Sequence, residues 1–316
     1  MSDLPSRVEI FEEGPREGFQ SSAVVPTAQK LRLIDALAQT GLSQIDCTSF
    51  VNTRLVPQMA DAEQIAAGLV KRPGVRYISL WLSESGFRRA LATSFDLAPS
   101  VLCCVSSTAA EKNSGCSGAE LIRRQGRMID LYREHALPLE YAHLSNAFGC
   151  SYEGHISTAQ AMATLEELLA VCAAHGALPR VVYLSDTVGA GTPQSVSSLI
   201  GAARSRWPEQ QFALHLHDTR GMGLANAWAG LTMGISRFDA SIGGLGGCPF
   251  SGARGTTGNI CTEDLALMCE EMGIATGLDL DRLADCARLA EEIIGQDLPG
   301  KFKRAGRLGV APGAAA

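Results

Sequence analysis

The sequence lacks the features that would place its 316 residues in a membrane or on nucleic acid. It contains no run of 18 apolar residues, so no membrane-spanning helix is predicted. No long run of one charge occurs and the net charge is −6, which gives no electrostatic support for nucleic-acid binding. The N-terminal segment has no basic stretch followed by an apolar one, so no secretory signal is expected.

The ten cysteines include no C-x-x-C pair, which argues against a zinc knuckle or a thioredoxin-type redox motif. They are scattered along the chain instead of following the regular spacing of a disulfide framework. We therefore expect reduced, mostly buried thiols in a cytoplasmic protein.

Short β-rich runs alternate with helical patterns along the chain, and eight such repeats are typical of an α/β protein with a closed (β/α)8 barrel. An open doubly wound sheet is the main alternative, but no glycine-rich dinucleotide fingerprint follows the first strand. The predicted strands are Val8–Glu12, Gln44–Thr48, Tyr77–Leu82, Ser100–Val105, Leu139–His143, Val181–Ser185, Ala213–His217 and Arg237–Ser241.

The pattern predicts a barrel over residues 1–275 and a helical extension over 276–316 that packs on it and ends in a frayed tail. Thr27 and Thr262 precede predicted helices and are expected to cap them. The barrel also makes a demand on function, because catalytic side chains of such folds lie at the carboxyl ends of the strands.

The seventh predicted strand ends in His215-Leu216-His217-Asp218. Residues two apart on a strand face the same side, so both imidazoles point together into the barrel mouth. The whole chain has only six histidines, and two share this strand end. We interpret the pair as ligands of a divalent metal, in preference to two separately hydrogen-bonded histidines.

The loop after the first strand offers further polar groups between Gly14 and Gly18. Glu17 provides a hard oxygen ligand, and Arg16 provides a fixed positive charge that could stabilise an enolate or hold a carboxylate. The alternative for these two residues is a surface ion pair.

The loop after the eighth strand contains four glycines in five residues, Gly243–Gly247, followed by Cys248. Such a loop permits close backbone approach, and its cysteine is a candidate general acid or base rather than a small buried hydrophobe. Further along, Asn259 brings an amide oxygen suited to a metal.

Several motifs resemble those of the 3-hydroxy-3-methylglutaryl-CoA (HMG-CoA) lyase family, within a wider group of barrel metalloenzymes that includes isopropylmalate synthases and 4-hydroxy-2-oxovalerate aldolases. The resemblance covers about residues 8–280. The segments that carry it are Gly14–Gln20, Val25–Thr27, Thr48–Val51, Val56–Asp61, Tyr152–Gly154, Asp186–Gly189, His215–Thr219 and Gly244–Pro249.

The resemblance implies a metal-dependent retro-Claisen cleavage of an acyl-CoA, giving acetyl-CoA or a homologue and a keto acid. It implies Mg²⁺ or Mn²⁺ bound by Glu17, His215, His217 and Asn259. The same resemblance implies that Arg16 stabilises the enolate, that Cys248 or His215 transfers a proton, and that Asp46 lies by the metal at the end of the second strand.

Four further residues are expected near the substrate. Two of them, Gln20 and Asp186, match polar positions of the family's site. Separately, Glu263 matches a glutamate that follows the metal-binding asparagine. CoA is expected across the barrel mouth, where Lys112 and Asn113 are candidate contacts or, equally, solvated loop residues. The resemblance also implies a homo-oligomer, a dimer or larger.

The sequence departs from the family pattern at the site itself. Glu17 stands where the family has aspartate, and Asp46 where it has glutamate, so one side chain is longer and the other shorter. If the two face each other across the metal, their lengths compensate. His143 is a further titratable group, either near the pocket or within the core.

These departures leave the substrate open among HMG-CoA, another hydroxyacyl-CoA such as citramalyl-CoA, and free 4-hydroxy-2-keto acids for a metal-dependent aldolase. A Schiff-base aldolase is not expected, because none of the five lysines lies on a predicted strand.

Overall fold

A computed structural model describes residues 4–246 and 258–308, and it contains an eight-stranded parallel sheet that curls into the predicted barrel. The strands follow one another around the sheet in the order β3-β2-β1-β8-β7-β6-β5-β4. Their bounds are β1 Glu9–Glu12, β2 Gln44–Ser49, β3 Arg76–Leu80, β4 Ser100–Cys104, β5 Tyr141–Ser145, β6 Val181–Asp186, β7 Gln211–Leu216 and β8 Arg237–Ala240.

The strands alternate between a face packed on helices and a face inside the barrel. On β7, Leu214 contacts the helical layer, because a methyl group built on Gly230 would meet it. His215, the next residue, therefore points inward, as its contacts with Asp239 of β8 also show. This alternation places the polar residues of the strands in the interior, where they converge at one end.

Helices cover the outside of the sheet. Their bounds are α1 Thr27–Leu37, α2 Ala62–Gly68, α3 Glu84–Leu91, α4 Ser107–Ser114, α5 Gly118–Glu134, α6 Thr158–Ala174, α7 Pro193–Arg206, α8 Gly223–Thr232, α9 Thr262–Glu271, α10 Leu280–Ile294 and α11 Phe302–Ala305. Among the described residues, none of these helices combines the length and apolarity needed to cross a bilayer.

The helices after β8 lie against the barrel. α10 packs on α1 and on the turn Ile242–Gly244, where Gly243 leaves room for Leu298. The boundary near residue 275 between barrel and extension stays a prediction, and the expected frayed tail falls mostly outside the described residues.

Helix α4 was not predicted, and its sequence explains why. Only eight residues long, it carries few apolar side chains, with Ala109 and Ala110 buried. Its ends are nevertheless well formed, because the Ser106 side chain accepts a hydrogen bond from the N–H of Ala109 and Gly115 closes the helix at φ +64°.

The two predicted threonine caps were wrong. Thr27 and Thr262 are the first residues of α1 and α9, and neither helix has a side-chain cap. The Thr27 hydroxyl donates to Asp61 instead, and the Thr262 hydroxyl donates to Glu12. Both hydroxyls therefore tie a helix to another part of the barrel end rather than to its own backbone.

No backbone ladder joins β3 to β4 within the described residues, so other contacts close the barrel there. The segment before β4 pairs with the β3 edge through Asp96, whose N–H donates to the carbonyl of Tyr77 and whose carboxylate accepts from the N–H of Tyr77. Above it, Trp81 Nε1 donates to Tyr132 Oη at 2.7 Å, and Tyr132 donates to the carbonyl of Ser100 in β4 at 3.0 Å.

This relay predicts that Tyr132→Phe lowers the free energy of unfolding by about 1–3 kcal/mol, since the buried Trp81 N–H and Ser100 carbonyl lose their partner. The control is Trp228→Phe at a tryptophan that is 43% exposed, expected to change it by less than about 0.5 kcal/mol. Equal losses in the two variants, measured by urea unfolding, would contradict the role assigned to the relay.

Candidate active site

The loop after β1 is a short π-helix, Gly14–Gly18, that turns its polar side chains into the barrel mouth. The carbonyl of Glu13 accepts hydrogen bonds from the N–H groups of both Arg16 and Glu17. Below the loop, the fully buried Glu12 accepts from the N–H groups of Gly14 and Ile242. One carboxylate thus fastens the first loop to the turn after β8.

Arg16 is surrounded by three carboxylates. Its Nε donates to Asp46 at 2.8 Å, its Nη1 to Glu17 at 2.9 Å and its Nη2 to Glu13 at 2.8 Å. Because the arginine side chain is only 13% exposed, this is a buried network rather than the surface ion pair that was the alternative.

The two histidines face the same point. His215 Nε2 lies 3.1 Å from His217 Nε2, and His217 Nε2 lies 3.1 Å from Glu17 Oε1. Glu17 Oε1 and His215 Nε2 are 3.8 Å apart. The opposite nitrogen of His215, Nδ1, faces Asp239.

Asn259 lies beside this cluster on a strand-like bridge to His217. Gly246 approaches it closely, since a methyl group built on that glycine would lie 3.3 Å from both Asn259 Nδ2 and the Glu17 side chain. Asn259 is 1% exposed, yet neither its amide oxygen nor its amide nitrogen has a hydrogen-bond partner among the described residues. A buried, unpaired amide of this kind is costly and indicates a missing ligand.

The donor set fits a divalent cation. One carboxylate oxygen, two imidazole nitrogens and an unpaired amide oxygen form a mixed oxygen and nitrogen donor set that suits a divalent cation and includes no thiolate. The structure therefore brings the four predicted ligands together, although their roles stay predictions. Cys248 lies outside the described residues.

The charges of the site perturb its titrating groups. Burial opposes ionisation of Glu17, but Arg16 and the two histidines hold its pKa well below the usual range. Burial likewise disfavours a charged His215, yet Glu17 and Asp239 raise its pKa to about 9. A cation at Nε2 would oppose that protonation, because a metal ligand must be the neutral imidazole.

Asp46 and Glu17 both contact Arg16, which lies between the two carboxylates. Burial raises the pKa of Asp46 to about 6, against the lowering effect of Arg16. Its second oxygen, Oδ1, is buried without a partner among the described residues. Any compensation between the two carboxylates therefore runs through the arginine.

The predicted substrate residues occupy different surroundings. Gln20 follows the π-helix and is partly exposed, and Lys112 and Asn113 are exposed on α4, with the Lys112 ammonium 5.0 Å from the ring centre of Tyr152. Asp186 is fully buried, and its two oxygens accept from the N–H groups of Ala190 and Gly191. These bonds favour a structural role for Asp186, in the loop after β6.

Sequence reasoning missed Glu13, Asp239 and Tyr183. Each has the strand alternation of an inward-facing residue, which was the available signal, but none belongs to a recognisable motif. His143 also lies inside, stacked on Tyr183 with ring centres 4.9 Å apart. Burial, together with the charges of His215 and Arg16, lowers the pKa of His143 to about 3. Whether this histidine serves the pocket or the core stays a prediction.

Comparison with known proteins agrees with this arrangement. The family model described as HMGL-like matches residues 7–290. A mitochondrial hydroxymethylglutaryl-CoA lyase from Gallus gallus is 40% identical over 283 residues, which cover 89% of this chain and 92% of that protein.

Two solved structures are similar over nearly the whole chain. The HMG-CoA lyase of Bacillus subtilis is 36% identical with a TM-score of 0.88, covering 96% of this chain and 98% of that one. An HMG-CoA lyase from Acinetobacter baumannii, solved with coenzyme A and 3-methylmalate, is 32% identical with a TM-score of 0.88 and covers 99% of both chains.

The fold and the cluster define an α/β-barrel enzyme with a candidate divalent-metal centre. More particularly, the chain belongs to the HMGL-like family, which confirms the resemblance seen in its motifs.

Glu263 should make the free energy of unfolding depend on pH. This fully buried side chain accepts from the N–H of Gly243, and burial raises its pKa to about 8. The folded state then holds a proton that the unfolded chain releases near its ordinary pKa, so stability falls as the pH rises from about 5 to about 8. Glu263→Gln keeps the acceptor and removes the titration, so its unfolding free energy should decline less over this range. Parallel pH profiles for the two proteins would contradict this expectation.

Proposed function

We propose that this protein is a divalent-metal-dependent carbon–carbon lyase that cleaves HMG-CoA to acetyl-CoA and a keto acid. The observation that carries the proposal is the buried group of Glu17, His215, His217 and the unpaired Asn259, with Arg16 beside it. The relatives that match over most of the chain are named as HMG-CoA lyases, which supports this substrate.

Glu17, His215, His217 and Asn259 would hold Mg²⁺ or Mn²⁺. When bound, the cation supplies a Lewis acid that lowers the pKa of a chelated substrate hydroxyl and binds a neighbouring carboxylate. The protein holds these four side chains in place. His215 lies on β7, His217 follows that strand, and Asn259 is bridged to His217.

Arg16 is placed to stabilise the negative charge that develops on the thioester carbonyl as the C2–C3 bond breaks. Three carboxylates hold its guanidinium in one orientation before substrate arrives, so little reorganisation is needed during the reaction. A base removes the proton of the substrate's C3 hydroxyl, and the oxygen forms the keto group of the keto acid as the C2–C3 bond breaks. The electron pair of the broken bond passes into the enolate, and a proton from Cys248 or His215 then converts the enolate into the acyl-CoA product.

The coenzyme A of the Acinetobacter structure supports an acyl-CoA substrate here. Lys112 and Asn113, exposed on α4 after the carboxyl end of β4, remain our candidates for contacting it, with Gln20 nearer the metal cluster. Asp186 would act indirectly, by shaping the loop after β6. We further propose that the protein is a homo-oligomer located in the cytoplasm. The cytoplasmic location is supported by its free cysteines, eight of which are buried among the nine that the structure describes.

Metal removal tests the proposal. Protein dialysed against EDTA should lose cleavage of HMG-CoA and regain it with added Mg²⁺ or Mn²⁺, because the developing alkoxide loses its Lewis acid. Production of acetyl-CoA and of the keto acid should be followed together. Undiminished cleavage in fully metal-depleted protein would contradict the proposal.

The same assay should compare HMG-CoA with citramalyl-CoA and with free 4-hydroxy-2-keto acids. The length changes at Glu17 and Asp46 are the observation that keeps citramalyl-CoA as a second candidate, since single pocket contacts decide specificity. A higher kcat/KM for citramalyl-CoA would make that thioester the preferred substrate and leave the proposed reaction unchanged. Turnover of the free acids alone would exclude a lyase that acts on CoA thioesters.

The exchange of carboxylate lengths gives a separate prediction. Glu17→Asp should lower kcat by about tenfold or more, because a shift of about 1 Å at a catalytic group has that effect. Glu17→Asp with Asp46→Glu should recover part of the loss, since the longer side chain at position 46 can return Arg16 toward its place. A double variant as slow as Glu17→Asp would show that the two lengths are independent.

A further inference from the structure

His215 faces different partners with its two ring nitrogens. Nε2 points to His217 and Glu17, where the cation would lie. Nδ1 points to two carboxylates, lying 3.3 Å from Asp239 Oδ2 and 3.4 Å from Glu13 Oε2. Both acids are buried, with exposed fractions of 3% for Asp239 and 8% for Glu13.

The two acids come from neighbouring strands and are held by different contacts. Asp239 lies on β8, and the phenol of Tyr183 on β6 lies close enough to lower the pKa of its carboxyl. Glu13 follows β1, where its N–H donates to the carbonyl of Ala240, the residue after Asp239. The strand pairing between β1 and β8 therefore sets the spacing of the two carboxylates.

Glu13 differs from Asp239 in a second contact. The oxygen that faces His215 is the same oxygen that accepts from Arg16 Nη2 at 2.8 Å. Asp239 has no recorded bond to the arginine among the described residues. Glu13 thus contacts both a candidate metal ligand and the group that would stabilise the enolate, whereas Asp239 contacts the ligand but not the arginine.

We propose that Asp239 and Glu13 are positioning residues for the proposed lyase reaction, which jointly hold the Nδ1 face of His215, and that Glu13 also couples this ligand to Arg16. The inference rests on the proposed function, because it assigns both acids to the metal-dependent reaction.

The chemistry of imidazole supports this assignment. A neutral imidazole has one N–H and one lone pair, and a carboxylate can only accept, so the proton is placed on Nδ1 and the lone pair on Nε2. A histidine left without such partners can rotate or adopt the other tautomer, which would turn a proton toward the cation. Asp239, within hydrogen-bonding distance of Nδ1, would fix the tautomer, and Glu13 adds a second acidic oxygen 3.4 Å from the same nitrogen.

The test compares Asp239→Asn and Glu13→Gln, with Glu9→Gln as the control at an exposed position on β1, the strand that Glu13 follows. Mn²⁺ affinity of each protein is measured by titration calorimetry, without substrate. Both variants should bind Mn²⁺ about 10- to 100-fold more weakly, and the control should match the parent. Tyr183→Phe, which leaves Asp239 in place, should show a smaller loss. Thermal unfolding of the metal-free proteins establishes that each variant is folded.

Turnover of HMG-CoA at saturating Mn²⁺ then separates the two acids. Asp239→Asn should recover most of the parent kcat, because excess metal compensates for a weaker site. Glu13→Gln should stay about tenfold slower, because the orientation of Arg16 is also altered. Should Asp239→Asn fold poorly, Tyr183→Phe and Glu13→Gln still test the two halves of the proposal.

Parent-like Mn²⁺ affinity in both folded acid variants would overturn the inference while leaving the proposed function intact. Full recovery of kcat by Glu13→Gln at saturating Mn²⁺ would overturn its coupling to Arg16. A parent protein that neither binds Mn²⁺ nor cleaves HMG-CoA would overturn both the inference and the proposed function.

Discussion

One guanidinium holds the barrel mouth together. Arg16 donates to Glu13, Glu17 and Asp46, three buried carboxylates that would otherwise repel one another at this distance. Burial alone would favour their neutral forms, and the positive charge is what keeps Glu17 ionised and able to bind a cation. The same charge also lies where an enolate would form. Electrostatic support of the site and stabilisation of the reaction are therefore two uses of one side chain.

The fold was predictable because its information is local. Strands that are buried on both faces have short apolar sequences, and the regular alternation of these sequences with helical patterns predicted eight β/α units. All eight strands were found within a few residues of their predicted bounds; the fifth begins at Tyr141 rather than Leu139, after the N–H of Glu140 has bonded to the carbonyl of Pro99. What failed were contacts between distant segments. Thr27 and Thr262 have the sequence position of caps, but their hydroxyls bond to carboxylates elsewhere in the fold.

The candidate site shows the same division. His215 and His217 could be inferred from strand alternation alone, Glu17 and Asn259 from their chemistry and their places after the first and eighth strands, and the family resemblance joined the four into one site. Strand alternation could place Glu13 and Asp239 inside the barrel but not beside His215, because that contact arises only when β1, β7 and β8 lie side by side. The supporting acids of a metal site thus depend on tertiary structure, whereas its ligands leave a pattern in the sequence.

Pulsed electron paramagnetic resonance of Mn²⁺ added to the metal-free protein tests whether a cation binds to the two imidazoles. Nitrogen nuclei of directly bound histidines modulate the Mn²⁺ spin echo, so we expect coupling to two imidazole nitrogens. That coupling should fall to one nitrogen in His217→Gln. An Mn²⁺ spectrum without imidazole nitrogen coupling in the parent protein would contradict the account.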